Sequence, residues 1–225
     1  FETATSHTIT VRATDSAGFA DQSFNIAVTD VQGAVLVGSG RNDTINGTSG
    51  PPNPPASGSP FATVEADTIR GGRGNDRIDG LAGDDLLRGD SGRDILVGGN
   101  DNDTLRGGVG NDKLFGGDGN DLLLGNAGND RLDGGAGTDT LTGGAGADSI
   151  IFKAGYGNDT FTDYQAGLDD IYLAGTGVAN FAALKLLMTE TAPSVVTIDF
   201  GGGDQLVINN ATILKLQQNQ GDFHF

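Results

Sequence analysis

An aspartate recurs at every ninth residue through the middle of the chain: Asp76, Asp85, Asp94, Asp103, Asp112, Asp121, Asp130, Asp139 and Asp148. Ionised carboxylates only accept, and short aspartate side chains in bent backbone are the oxygen donors that hard divalent cations take. Each aspartate sits in the same phrase, G-G-x-G-x-D-x-U-x, where U is Ile78, Leu87, Leu96, Leu105, Leu114, Leu123, Leu132, Leu141 or Ile150. The aspartate is position six and the aliphatic position eight, without exception, in nine contiguous units from Gly71 to Ile151. Position four is glycine in eight units and Asp101 in one. A fixed period of this kind signals a repeat architecture.

The elements that must hold these carboxylates follow from the phrase. G-G-x-G-x-D makes a turn, because glycine permits positive φ and close backbone approach to a ligand. The x-U-x segment makes a strand of about three residues, with U pointing inward and its neighbours outward. Two units, 18 residues, then form one flattened coil, and successive coils stack as parallel strands about 4.8 Å apart. One edge carries Asp76, Asp94, Asp112, Asp130 and Asp148; the other carries Asp67, Asp85, Asp103, Asp121 and Asp139. Stacked carboxylates repel, and one aliphatic per nine residues is a small core against the ordering of so many glycines. A hard cation between stacked turns removes both difficulties, and an all-oxygen donor set favours calcium.

The register continues beyond the nine units. Ala66–Arg70 supplies positions five to nine of an earlier unit whose first four positions are residues 47–50, with the proline-rich stretch 51–65 looped out between them. Residues 38–46 form another unit, with Asp43 and Ile45 in the key places and Arg41 in place of the fourth glycine. Removing the insertion aligns Asp43 beneath Asp76. Downstream the period stretches, and Asp159 and Asp169 follow at spacings of 11 and 10 residues. Leu81, Asp90 and Asn126 replace glycine at position two, where a carbonyl suffices as ligand.

Composition narrows the partners. The chain has 30 acidic and 13 basic residues, a formal net charge of −17, and only Glu2, Glu65 and Glu190 are glutamate. No basic stripe could neutralise phosphates, so the charge argues against a nucleic acid partner and against an anionic membrane likewise. The absence of cysteine excludes disulfides and thiolate metal sites. No run of 18 apolar residues exists, and the opening FETATSHTIT lacks the basic-then-apolar order of a signal peptide.

These units resemble the RTX (repeats-in-toxin) nonapeptide family, the haemolysin-type calcium-binding repeats, over about residues 38–173. The resemblance implies an all-β fold, a parallel β-roll of calcium-binding repeats with a C-terminal cap containing a β-hairpin. It also implies six oxygens per calcium: carbonyls at positions two and four and the aspartate from one loop, and carbonyls at positions one and three and the aspartate from the loop 18 residues on. One ion would thus take the Gly72 and Gly74 carbonyls, Asp76, the Gly89 and Ser91 carbonyls, and Asp94. Gly108, Gly110, Gly117, Gly119, Gly135 and Gly137 occupy equivalent positions two and four. Every interior aspartate would bridge two ions, eight to eleven in all, with Asp43, Asp159 and Asp169 at the ends.

The flanks divide the chain into residues 1–32, 33–173 and 174–225. Two alternating runs, Ile9/Val11/Ala13 and Phe24/Ile26/Val28, surround Asp15–Gly18 and resemble the last two strands of a cadherin-like domain, expected here as a hairpin over the open end of the roll or a poorly ordered segment. FAALKLLM (181–188) reads as a short helix, and VVTIDFGGGDQLVINN (195–210) as a β-hairpin. The ending Asp222-Phe223-His224-Phe225 resembles the C-terminal region by which type I secreted proteins engage their export apparatus, with His224 departing from the usual apolar ending.

Several alternatives stay open. Asp163 and Asp170 are either solvated turn acids or terminal calcium ligands, and Asp15, Asp21 and Asp30 are either surface acids or the calcium ligands they would be in a complete cadherin-like array. Arg73, Arg88, Arg93 and Arg106 form either a solvated charge-balancing face or a contact for an acidic polysaccharide. An EF-hand is excluded because no glutamate closes a 12-residue loop. No H-E-x-x-H, P-loop, dinucleotide fingerprint or G-x-S-x-G elbow is present, so no enzyme chemistry is expected. The expected role is a calcium-folded module at the end of a larger secreted or bacterial surface protein. The alternatives are an adhesin module for carbohydrate or a cell surface, and the accessory domain of a secreted enzyme.

Overall fold

The computed structural model describes residues 66–225 together with four short strand segments, 8–9, 25–27, 35–37 and 44–46. Nine strands of six residues follow the repeat: β5 (Thr68–Arg73), β6 (Arg77–Ala82), β7 (Leu86–Ser91), β8 (Ile95–Asn100), β9 (Thr104–Val109), β10 (Lys113–Asp118), β11 (Leu122–Ala127), β12 (Arg131–Ala136) and β13 (Thr140–Ala145). Odd-numbered strands form one parallel sheet and even-numbered strands the other. Partners are 18 residues apart, Ile69 beside Leu87 and Leu114 beside Leu132, so each coil is two units as the spacing required. The fold is a parallel β-roll.

The strands are longer than the three residues expected. Each begins at position seven and runs through position three of the next unit, because that backbone also pairs between coils, Gly72 with Asp90 and Arg73 with Ser91. The turn shrinks to positions four to six. Position two makes the bend with positive φ, about 102° at Gly72, and Leu81, Asp90 and Asn126 adopt the same conformation where they replace glycine.

The aliphatics of position eight, from Ile69 to Ile150, are buried in a single column between the sheets. At the high-numbered end the column widens into aromatic and aliphatic packing. There β14 (Ser149–Lys153), β15 (Asn158–Phe161) and β16 (Asp170–Ala174) continue the two sheets. Phe152, Phe161, Tyr164 and Leu184 are fully buried among them.

Segments β1 (Thr8–Ile9) and β2 (Asn25–Ala27) do not form the expected hairpin. They join different sheets, β1 parallel to β3 (Val35–Val37) and β2 parallel to β4 (Thr44–Asn46). In turn β3 pairs with β5 and β4 with β6, Ile45 opposite Ile78. That register is the one inferred by removing residues 51–65. Arg41, Asp43, the insertion itself and Asp15, Asp21 and Asp30 lie outside the described residues.

The cap departs from the parallel rule. The short helix α1 (Phe181–Lys185) ends before Met188, which starts β17 (Met188–Ala192); the helix expected over 181–188 is therefore only its first part. The hairpin is present as β18 (Val195–Gly201) and β19 (Asp204–Asn209), antiparallel, and β19 lies parallel on β15. After α2 (Ile213–Gln218), β20 (Phe223–His224) forms the last rung of the even-numbered sheet beside β16. Among the described residues no helix is long and apolar enough to cross a membrane.

A second side-chain ladder joins the coils at position five. The Oδ1 atoms of Asn75, Asp84, Asn102, Asn111, Asn120 and Asn129 accept from the backbone N–H 18 residues later, at 2.8–3.0 Å. Arg93 interrupts this ladder, since guanidinium cannot accept. Replacing Arg93 with Asn supplies an acceptor for the Asn111 N–H. One such bond contributes about 1 kcal/mol, so Arg93→Asn should raise the urea midpoint of the calcium-bound chain; an unchanged or lower midpoint would contradict it.

Candidate metal centre

The position-six aspartates are placed by the turn, with backbone and carboxylate each given a fixed task. Their main-chain carbonyls accept from the position-seven N–H of the coil above, as Asp76 does from Ile95 at 2.8 Å. Their Oδ1 atoms reach the other way. Asp85 Oδ1 accepts from Asp67 N–H at 2.7 Å, and the same bond links Asp76–Asp94, Asp103–Asp121 and Asp112–Asp130. The series ends at Asp159, accepting from Asp139 at 3.1 Å, and Asp169, accepting from Asp148 at 3.0 Å. All twelve aspartates from Asp67 to Asp169 on this ladder are only 1–2 % exposed.

The second oxygen is the anomaly. Oδ2 of Asp85, Asp94, Asp103, Asp112, Asp121, Asp130, Asp139 and Asp148 is buried without a hydrogen-bond partner. A buried carboxylate oxygen in that condition costs several kcal/mol unless a positive group meets it. Each Oδ2 points to one side of the position-one glycine in its own unit. A Cβ added at Gly116 would collide with both Asp121 Oδ2 and the Gly134 carbonyl of the coil above; Gly80, Gly89, Gly98, Gly107 and Gly125 repeat this arrangement. Glycine therefore keeps open a cradle where a carboxylate and a carbonyl from adjacent coils converge.

Carbonyls at positions two and four project in the same direction. Gly117 O and Gly119 O lie where Cβ atoms of Gly135 and Gly137 would stand, as do the Asp90 and Gly92 carbonyls beneath Gly108 and Gly110, and Gly74 O beneath Gly92. The position-three carbonyl is partly engaged. Ser91 O accepts from Gly74 N–H at 2.9 Å, and Val109 O from Gly92 N–H at 2.8 Å, which leaves one lone pair for a further partner. Among the described residues no three carboxylate, imidazole or thiolate groups converge on one point. The donors are instead two carboxylates plus backbone carbonyls, an all-oxygen set that fits calcium.

The end residues separate. Asp163 accepts from Gly143 and Gly144 N–H at 3.0 and 2.8 Å, so it caps the last regular loop as a hydrogen-bond acceptor. Asp170 pairs with His224 Nε2 at 2.9 Å. Of the arginines on the outer faces, Arg88 joins Arg70 around Asp90. Three further carboxylates, two in the cap and one in the roll, were not anticipated. Asp204 accepts from Gly155 and Gly157 N–H, Asp222 accepts from Tyr164 Oη at 2.5 Å and Gly167 N–H at 2.7 Å, and Asp133 pairs with Lys153 at 3.1 Å. The position-five ladder was also missed, although asparagine or aspartate fills that position in six of the nine units.

Comparison with known proteins adds an independent line. A family model for the RTX calcium-binding nonapeptide repeat matches residues 35–51, 61–96, 88–123, 97–132, 115–150 and 124–157, about half of the chain. No curated protein matches significantly. Among solved structures, a subunit of the mannuronan C5-epimerase from Azotobacter vinelandii aligns with 28% identity over 51% of this chain and 74% of its own length, with a TM-score of 0.41. The extracellular lipase from Serratia marcescens aligns with 16% identity over 88% of this chain, at the same TM-score. This chain covers 41% of the lipase.

Burial pushes the ladder carboxyls up, opposed by the backbone N–H each accepts: to about 8 at Asp103 and Asp159, about 7 at Asp85 and Asp130, and about 6 at Asp94, Asp121, Asp139 and Asp169. Asp112 and Asp148 are raised for the same reason. A carboxyl raised on folding favours the fold at low pH and withdraws that support as pH climbs through the folded value. In chelator, circular dichroism should show more β-structure at pH 5 than at pH 8. The calcium midpoint should rise at the lower pH, because the cation must displace protons. A chelated chain that loses β-structure on acidification, as ordinary acid denaturation does, would contradict this.

Proposed function

The chain belongs to the RTX calcium-binding nonapeptide repeat family, and from that premise we propose that it is a calcium-switched folding module serving a larger secreted or surface protein. RTX repeats bind calcium, and the aspartate ladder fits that chemistry. The ions belong in the gaps between coils, one of them among Gly72, Gly74, Asp76, Gly89, Ser91 and Asp94, and their equivalents in each further gap. The observation that carries this reading is the set of eight buried Oδ2 atoms without partners, four along each edge of the roll, six of them facing a carbonyl of the next coil across a glycine. It also supports bridging: Asp85 sends Oδ1 toward the coil below and Oδ2 toward the coil above, so one carboxylate serves two gaps.

The size of the switch follows from linkage. With a dissociation constant of about 10⁻⁴ M per site, about 1 mM calcium contributes roughly 1.4 kcal/mol per ion and sub-micromolar calcium almost nothing. Eight regular gaps then contribute on the order of 11 kcal/mol. That range separates an unfolded chain in a calcium-poor cytosol, suited to threading through a type I export channel, from a folded one outside. The C-terminal rung β20 and the hairpin β18–β19 close the roll once the coils have stacked.

Circular dichroism during titration with calcium, with magnesium as control, tests the reading. A steep gain of β-signal with calcium alone is expected. Asp112→Ala, which removes oxygens from two gaps, should shift the midpoint to clearly higher calcium than Asp118→Ala, an exposed position-three acid. Equal shifts would defeat the ligand assignment.

A further inference from the structure

Acids and bases are sorted between the inside and the outside of the roll. Residues 66–174 contain twenty aspartates and nine lysines and arginines, a formal charge of −11. Twelve of those aspartates form the buried ladder, whereas none of the nine bases is buried. Eight divalent ions in the regular gaps bring +16, which makes the segment +5. Cation loading thus reverses the sign of the roll, and the positive charge left unmatched stands on its sheet faces.

We propose that the cation-loaded roll binds a carboxylate-bearing polysaccharide on the outer face of its even-numbered sheet, centred on Lys113 and Arg131. This rests on the calcium reading above. Arg77, Lys113 and Arg131 share one outward column, Arg77 and Lys113 each opposite Ile95, and Lys113 directly opposite Arg131. All three are exposed, and among the described residues none has an ion-pair partner. On the odd-numbered sheet Arg70 and Arg88 are tied to Asp90, and Arg106 opposite Arg88 is exposed without an ion-pair partner, but no aromatic-lined groove adjoins that row among the described residues.

Two residues along the same strands, Phe115 and Asp133 line an open groove of about 400 Å³ together with Gly117, Gly135, Lys153 and Tyr156. Lys153 Nζ is held by Asp133 at 3.1 Å and by the Tyr156 hydroxyl at 2.6 Å. The face therefore offers cations, an aromatic ring and carboxylate acceptors together. Carboxylates only accept, so the ligand must bring hydroxyl donors as well as negative charge. A linear uronate-containing polysaccharide brings both on the same sugar ring; a nucleic acid strand carries its charge on phosphates that only accept, with its strongest donors on the bases apart from them.

The test is binding of a fluorescent hyaluronan oligosaccharide to the full 225-residue chain at low ionic strength, with circular dichroism recorded on the same samples. Binding is expected with calcium and lost with chelator, weakened by salt, and absent for neutral dextran. The K113A/R131A double variant should bind about tenfold more weakly while its calcium midpoint stays unchanged. If calcium induces the fold but hyaluronan does not bind, or the double variant binds as well as the parent, or single-stranded DNA competes equally, this inference falls and the calcium reading stands. If calcium leaves the dichroism unchanged, both fall.

Discussion

Carboxylates stacked one rung apart, sealed from water, are the constraint around which this roll is built. From Asp85 to Asp169 each ladder aspartate accepts through Oδ1 from a backbone N–H in the coil below, so the stack has a hydrogen-bonded rail even with protein atoms alone. The rail does not dispose of the other oxygen. Eight Oδ2 atoms remain buried and unmatched, and burial raises the carboxyl pKa values toward neutrality. The ladder thus has two stable conditions, protonated or metallated, and at neutral pH a hard cation is the more effective partner.

The rest of the repeat follows from that constraint. Glycine at position one leaves the cradle open; glycine at position four lets the carbonyl below approach a backbone that has no side chain in the way, as Gly74 O does beneath Gly92. The inner column takes one aliphatic per unit, such as Leu114 or Leu123, each fully buried. The position-five asparagines bond upward while the position-six aspartates bond downward, so each turn is clamped from both sides. Where the repeat stops, protein groups take over. Asp163 fills the acceptor role above Gly143, and aromatic packing around Phe152, Phe161 and Tyr164 replaces the thin column.

What could be read from the sequence was what the period dictates. Position-eight aliphatics and position-six aspartates in phase defined the inner column, both edges and the 18-residue coil, and the Ile45–Ile78 register emerged by subtracting an insertion. Strand length could not be read, because Gly71 and Gly72 look like turn residues although their backbone pairs with the next coil. The helix expected over 181–188 stops at Lys185; apolar spacing does not distinguish a helix from Met188 entering a strand against Ile198. The segments before residue 33 resembled a hairpin by alternation, yet alternation carries no partner information, and the two strands joined opposite sheets. Asp204 and Asp222 bond to groups about 50 residues away, which no local pattern reveals.

The account is tested most directly by an anomalous difference map from a crystal grown in calcium. It predicts a peak in every gap between successive ladder aspartates, each about 2.3–2.6 Å from an Oδ2 atom and from carbonyl oxygens of two coils. Well-ordered rungs with no peak between them, or peaks confined to the outer surface, would contradict it.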